Sequence, residues 1–248
     1  QAAIEKADYG KAVALLKPLA DKGNAEALYV LGRLTLDGKG VKKSEQRAAQ
    51  LFRQAAEKGD ISAQNAWGTA QASGQGVRRN YREAARWFRK AAEQGLAMAQ
   101  YNLGYLYAYG RGVPKDETAA IDWYSRAANQ GLADAQYSLG WTYLNSKGEN
   151  QSDTKAVHWF EKAAEQDNLK AQNNLAYMYA EGRGYAQDPV KAVQWYNRAA
   201  ERGYAEAQYN LGFMYEQGRG VPQDYNKAVE WYRKAAEQNE PAAQYSLG

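Results

Sequence analysis

Along residues 205–217 the apolar positions Ala207, Leu211, Met214 and Tyr215 fall three and four apart. That spacing lays them on one face of a helix. Gly218 and Gly220 then stop the helix, because glycine accepts the left-handed conformation at helix C-termini. Val221-Pro222-Gln223-Asp224 follows, and Asp224 stands where a side chain caps the next helix by accepting backbone N–H groups. In the stretch after it, Ala228, Tyr232, Ala235 and Ala236 again share one face.

This two-helix pattern returns every 36 residues without insertion or deletion. A Leu-Gly pair or a close relative ends at Gly32, Gly68, Gly104, Gly140, Ala176, Gly212 and Gly248, and an aromatic beat runs through Phe52, Trp87-Phe88, Trp123-Tyr124, Trp159-Phe160, Trp195-Tyr196 and Trp231-Tyr232. A fixed period of this length marks a stacked repeat array. The pattern predicts first helices (A) near 24–37, 60–73, 96–109, 132–145, 168–181 and 204–217. Second helices (B) fall near 45–58, 81–94, 117–130, 153–166, 189–202 and 225–238. A helix B at about 8–22 precedes them and a shortened helix A at about 240–248 follows. The expectation is one all-α domain over 1–248, a right-handed α-solenoid of stacked antiparallel pairs, with six full pairs at about 24–239 and a half-repeat at each end.

Small residues sit where paired helices must approach closely. Gly104, Gly140 and Gly212 each follow a core leucine, and alanine pairs such as Ala55-Ala56, Ala127-Ala128 and Ala235-Ala236 recur on helix B. Departures cluster after the middle of the chain. Ser146-Lys147-Gly148-Glu149-Asn150 lacks the Gly-x-Gly-Val turn, Asp167-Asn168 replaces the glycine that ends helix B, and Ala176 stands in a glycine slot.

Ala207-Gln208-Tyr209-Asn210-Leu211-Gly212, Gly218-x-Gly220-Val221 and Trp231-Tyr232-x-Lys234-Ala235-Ala236 resemble the Sel1-like repeat, a relative of the tetratricopeptide repeat, and the likeness covers essentially the whole chain. The resemblance implies that helix A lines a concave groove. It also implies a non-catalytic adaptor of the kind that bacteria use in envelope assembly, secretion, signalling and host contact, some members being inhibitors or immunity partners of secreted effectors. The opening Asp8-Tyr9-Gly10-Lys11-Ala12 to Pro18-Leu19-Ala20 resembles mature exported members, so a periplasmic or otherwise exported location is expected.

Composition narrows the chemistry. There is no Cys and a single His, so thiolate and imidazole-rich metal sites are excluded and neither metal nor cofactor is expected. His158 occupies a helix B slot that is polar elsewhere (Gln50, Arg86, Asp122, Gln194, Glu230), which reads as a solvent-facing residue. A formal charge of +4 is weak evidence for a polyanion, and the cluster Arg78, Arg79, Arg82, Arg86, Arg89 and Lys90 reads as a solvated helix face, so no nucleic acid is expected. No apolar run reaches the length of a membrane span, and no membrane insertion is expected.

The repeat itself separates framework from site. The helix B tryptophans recur in strict register and read as packing between repeats. Three helix A slots vary from unit to unit. Three residues before the glycine stand Tyr29, Asn65, Tyr101, Tyr137, Asn173, Tyr209 and Tyr245. One residue after it stand Arg33, Thr69, Tyr105, Trp141, Tyr177 and Phe213. One turn on stand Asp37, Ser73, Tyr109, Asn145, Glu181 and Gln217. Of these, Tyr101, Tyr105, Tyr109, Tyr137, Trp141, Asn145, Tyr177, Glu181, Tyr209 and Phe213 form the candidate partner-binding strip, aromatic with a polar edge. The alternative for the first slot is packing between neighbouring A helices. The leading expectation is a scaffold that holds another protein in this groove, with end-to-end self-association through the chain ends. A β-lactam-active enzyme or a glycan-binding protein using the same groove is the alternative.

Overall fold

The computed structural model describes residues 8–247, which divide into two compact units at Gln130 and Gly131. Among the described residues every regular element is helical. The first unit holds α1 (Tyr9–Asp21), α2 (Ala25–Asp37), α3 (Glu45–Glu57), α4 (Ile61–Ser73), α5 (Tyr81–Glu93), α6 (Ala97–Tyr109) and α7 (Glu117–Asn129). The second holds α8 (Ala133–Asn145), α9 (Asp153–Glu165), α10 (Leu169–Glu181), α11 (Pro189–Glu201), α12 (Ala205–Gln217), α13 (Tyr225–Glu237) and α14 (Pro241–Leu247). Even-numbered helices are the A helices and odd-numbered ones the B helices. Within each unit every helix packs on the next, and the A and B helices of one pair make the most extensive contact.

Local chemistry sets the boundaries. The expected cap at Asp224 is made, its Oδ1 accepting from Lys227 N at 3.0 Å, and Asp116 and Asp188 cap α7 and α11 in the same way. The first glycine of each Gly-x-Gly turn is the left-handed C-cap of helix A, as at Gly110 with φ 64°. The second glycine is required for space as well. A Cβ on Gly112 would strike the backbone of Tyr81, the first residue of α5 in the preceding repeat. Where the turn motif is lost, α8 ends at an extended Ser146 and a 3-10 turn over Gly148–Asn150 carries the chain into α9. Asp167 takes the left-handed conformation of the missing glycine, at φ 63°.

The core is built from rings and small residues. The B-helix aromatics Phe52, Phe88, Tyr124, Phe160, Tyr196 and Tyr232 are all buried, as are the alanine pairs at 55–56, 91–92, 127–128, 163–164 and 199–200. The slot glycines face those rings rather than the alanines. A Cβ on Gly104 would stand 2.8 Å from Cδ1 of Tyr124, and Gly140 and Gly212 meet Phe160 and Tyr232 at the same distance. The tryptophans lie half-buried one position before the rings. Trp87, Trp123, Trp195 and Trp231 pack on the edges of their clusters. Each of the five carries a cation three residues on, from Lys234 over Trp231 at 4.0 Å to Lys162 over Trp159 at 5.4 Å.

A buried amide ladder was not legible from apolar spacing. The glutamine of the Ala-Gln pair near the start of each A helix from α4 to α12 is buried, and, Gln172 apart, it accepts from a glutamine at the end of helix B of its own pair. The bonds are Gln94 to Gln64 (2.9 Å), Gln130 to Gln100 (2.7 Å), Gln166 to Gln136 (2.7 Å) and Gln238 to Gln208 (2.8 Å). Its own Nε2 donates to a carbonyl ending the preceding helix B, as Gln100 does to Ala92 O at 3.1 Å. One rung is broken. The partner position of Gln172 is Arg202, which turns to Asp167, and Gln172 Oε1 is left buried without a hydrogen bond.

Candidate binding site on the A-helix face

The second and third variable slots are exposed along the A helices, apart from a half-buried Tyr105, whereas the first slot turns toward helix B. One residue after the glycine, Trp141, Tyr177 and Phe213 are 43%, 42% and 37% exposed, which for side chains of this size leaves much of each ring in water. They occupy the same slot of three successive A helices in the second unit. Tyr105 is half-buried at the corresponding place in the first unit, and Tyr109, Asn145 and Glu181 are exposed.

The first-slot tyrosines are mainly framework, and they pack against the B ring of their own pair. Tyr101 lies 5.8 Å from Tyr124, Tyr137 5.9 Å from Phe160, and Tyr209 5.4 Å from Tyr232. Tyr137 also stacks on Trp141 at 6.4 Å. Asn145 is tied to its own helix, its Nδ2 donating to Trp141 O at 2.9 Å.

Two repeats break that cover, and each opens a cleft. Asn65 and Asn173 take the place of the tyrosine, and each is bridged from the next A helix, by Asn102 Nδ2 at 2.9 Å and by Asn210 Nδ2 at 2.9 Å. With no ring above them, Phe88 and Tyr196 become cleft floors. In the second unit the cleft measures about 210 Å³ between α10 and α12, and it gathers four residues expected from the sequence: Tyr177, Glu181, Tyr209 and Phe213. Arg219 closes it, with Nη2 donating to Ala180 O at 2.7 Å and to Glu181 at 3.1 Å. Burial, with the carboxylates of Glu181 and Glu206 behind it, raises the Tyr196 phenol above its ordinary value and keeps the floor uncharged.

In the first unit the matching cleft, about 430 Å³, lies between α4 and α6. Tyr105 lines it together with Thr69, Ser73, Arg79, Tyr81 and Arg111. Tyr105 and Tyr109 pack at 4.6 Å, and the Arg111 guanidinium lies over both, 5.2 and 5.8 Å from the ring centres. Sequence reasoning passed over Arg111, Arg219, Asn102 and Asn210. The available signal was the asparagine in a tyrosine slot, followed one repeat later by Gly-Arg-Gly.

The basic cluster at 78–90 is partly engaged on the protein itself. Arg86 pairs with Glu83 at 2.9 Å, Arg89 bonds the Tyr107 hydroxyl, and Lys90 lies on Trp87. His158 is exposed, as its slot implied, and meets the edge of Trp159 at 5.2 Å. No helix among the described residues is long and apolar enough to cross a membrane.

The Sel1 repeat model matches seven consecutive segments, 2–24, 25–60, 61–96, 97–132, 133–168, 169–204 and 205–240. The chain belongs to the Sel1 repeat family. Among solved structures it is similar to a protective antigen of uropathogenic Escherichia coli, at 36% identity and a TM-score of 0.89, over 95% of this chain and 50% of that one. The chain thus spans about half the length of that antigen. It is similar as well to a Sel1 repeat protein from Oxalobacter formigenes, at 32% identity and TM-score 0.84, over 94% and 93% of the two chains. An immunity protein from Pseudomonas aeruginosa shares the fold at 17% identity and TM-score 0.51, over 88% of this chain and 83% of that one. No curated protein sequence matches the chain. The fold class is the all-α solenoid of stacked helix pairs expected from the sequence. Sel1 repeats are in general non-catalytic scaffolds that mediate protein–protein interaction, and this chain carries that interaction fold.

Proposed function

We propose that this Sel1 scaffold holds a segment of a partner protein against its A-helix face, with Trp141, Tyr177 and Phe213 as anchors. The observation that carries the reading is their exposure. The B-helix rings are buried in every repeat, yet three successive A helices of one unit present a large aromatic to water at the same slot. Such rings lose little side-chain entropy on binding and bury much area, which is the usual make-up of an interface hot spot. Tyr101, Tyr105, Tyr109, Tyr137, Asn145, Glu181 and Tyr209 complete the proposed contact set. The narrower role of inhibitor or immunity partner of a secreted effector belongs to the same proposal, by fold likeness to the Pseudomonas aeruginosa protein.

The test compares Trp141→Ala with the parent. A partner co-purified from bacterial lysate and identified by mass spectrometry is titrated calorimetrically against both. The substitution should weaken binding by about 2 kcal/mol, the hot-spot range, with the far-ultraviolet circular dichroism and melting curve nearly unchanged. Normal binding by Trp141→Ala together with loss in an Arg82→Ala/Arg86→Ala variant would transfer the site to the basic face. Quenching of Trp141 fluorescence by oligosaccharides or β-lactams, with no protein retained, would replace a protein partner by a small ligand.

A further inference from the structure

The middle residue of each Gly-x-Gly turn reaches toward the start of helix B one repeat earlier, and what it finds there differs. Gln75 donates to Glu45 at 3.2 Å. Arg183 grips Asp153 with two bonds, Nε to Oδ2 at 2.9 Å and Nη2 to Oδ1 at 2.7 Å. Arg219 faces Pro189 at that position and takes Glu181 instead, at 3.1 Å. Arg111 finds Tyr81, whose ring lies 5.6 Å from the guanidinium carbon.

The alternative partner is missing as well. Ser73 occupies the slot that Glu181 fills three repeats later. Among the described residues Arg111 therefore makes no ion pair and no side-chain hydrogen bond, and is held only by the rings of Tyr81, Tyr105 and Tyr109. Arg79, on the same cleft, lies over Tyr81 and donates to Ser73 O at 3.3 Å, again without a carboxylate.

The two clefts are one design in two states. Both are floored by a B-helix ring, have asparagine in the tyrosine slot and are edged by a turn arginine. In the second unit the chain supplies the carboxylate itself. In the first the arginines are pre-positioned on aromatic faces, which leaves the guanidinium edge open to a planar acceptor. We propose that the cleft between α4 and α6 is a socket for an acidic side chain, an aspartate or glutamate carried on the partner segment, with Arg111 as its main ligand and Arg79 as the second. The proposal rests on the reading above that the partner is a protein. Charge complementarity selects the occupant, since no carboxylate lines this cleft. Thr69 and Ser73 at the rim are short enough to admit a side chain, where Glu181 and Tyr177 fill the corresponding places of the other unit.

The experiment is a random-peptide display selection on the parent and on Ser73→Glu, which installs the in-chain carboxylate that Glu181 supplies elsewhere. Ser73 is exposed, and a thermal melt confirms that the variant folds. Parent-selected peptides should be enriched in Asp or Glu, and Ser73→Glu should lose that enrichment. By fluorescence anisotropy, changing the selected acid to its amide should weaken binding to the parent about tenfold, and Arg111→Gln should weaken the acidic peptide about tenfold while leaving the amide form unchanged. Peptides that depend on Trp141 but bind Ser73→Glu as they bind the parent would overturn the socket and leave the groove reading standing. Enrichment of no peptide at all would overturn both. Tighter binding of a single-stranded oligonucleotide, dependent on Arg111, would overturn the socket in favour of a nucleic-acid site.

Discussion

Gly104 offers a direct test of how the helix pairs are held together. Valine at this position would place its Cβ 2.8 Å from Cδ1, 2.9 Å from Cε1 and 3.2 Å from Cγ of Tyr124. Ordinary carbon contacts begin near 3.4 Å, so the ring must yield by about 0.6 Å. It has nowhere to go. Tyr124 is 2% exposed, and Tyr101 lies against it with ring centres 5.8 Å apart. Overpacking of this kind costs about 1–3 kcal/mol. Replacing a mid-helix glycine by valine returns only a few tenths of a kcal/mol in helix propensity. The net loss should be about 2 kcal/mol, equivalent to a melting-temperature drop of about 4–8 °C for a chain of this length.

Urea unfolding followed by far-ultraviolet circular dichroism should show the midpoint fall with little change of slope. Gly10→Ala is the control, because its added Cβ meets nothing nearer than Asp8 Oδ1 at 3.9 Å, and stability should hold or rise. A second arm tests the cause. The fifth pair already carries a methyl at this slot, Ala176, and there Asn173 replaces the covering tyrosine. Tyr101→Asn in the Gly104→Val background should therefore recover part of the loss, with a coupling of about 1 kcal/mol. If Gly104→Val unfolds at the parent's midpoint, the ring-on-glycine account of pair packing is wrong.

The broken amide rung gives a stabilising prediction. Arg202→Gln should complete the bond to Gln172 Oε1 and raise stability by about 1 kcal/mol, since an unsatisfied buried acceptor costs about 1–3 and the exposed Arg202–Asp167 pair returns at most about 1. Denaturant midpoints check it, and a fall would mean that the Asp167 pair matters more than the rung. Alkali should destabilise the fold. Burial, aided by Glu161, pushes the Tyr179 phenol up to about 12, and burial also raises Tyr124, Tyr196 and Tyr232. The unfolded chain loses these protons near pH 10, before the folded one does, so stability is whole below that pH and falls as pH climbs from about 10 to 12. Phenolate difference absorbance and circular dichroism should change together in that window, and a phenolate signal completed near pH 10 with the fold intact would refute the burial assignment. Trp159→Ala should lower the melting temperature clearly through lost packing and the Lys162 contact at 5.4 Å, whereas His158→Ala on the exposed side should stay within about 0.5 kcal/mol of the parent.

What the sequence determined by itself is what the period carries. A contact made in every repeat leaves the same residue type at the same spacing. Helix positions, the cap at Asp224, the glycine turns and the division between framework rings and the exposed slot of Trp141, Tyr177 and Phe213 were therefore all legible. The altered connection after Asn145 was legible for the same reason, as a break in a regular text. Tertiary structure decided the contacts that join different positions of the period. It set Gly104 against the Tyr124 ring, turned Tyr101 and Tyr209 onto B-helix rings, and coupled Gln100 to Gln130 across the helix pair. It also showed that Asn65 and Asn173 stand in for the tyrosine beside a ring that floors a cleft, and that Arg183 and Arg219 find carboxylates where Arg111 finds aromatic faces. Periodicity records which residue stands in each slot. The partner of a side chain lies 30, 37 or 38 residues away, on a neighbouring helix, and only packing brings the two within reach.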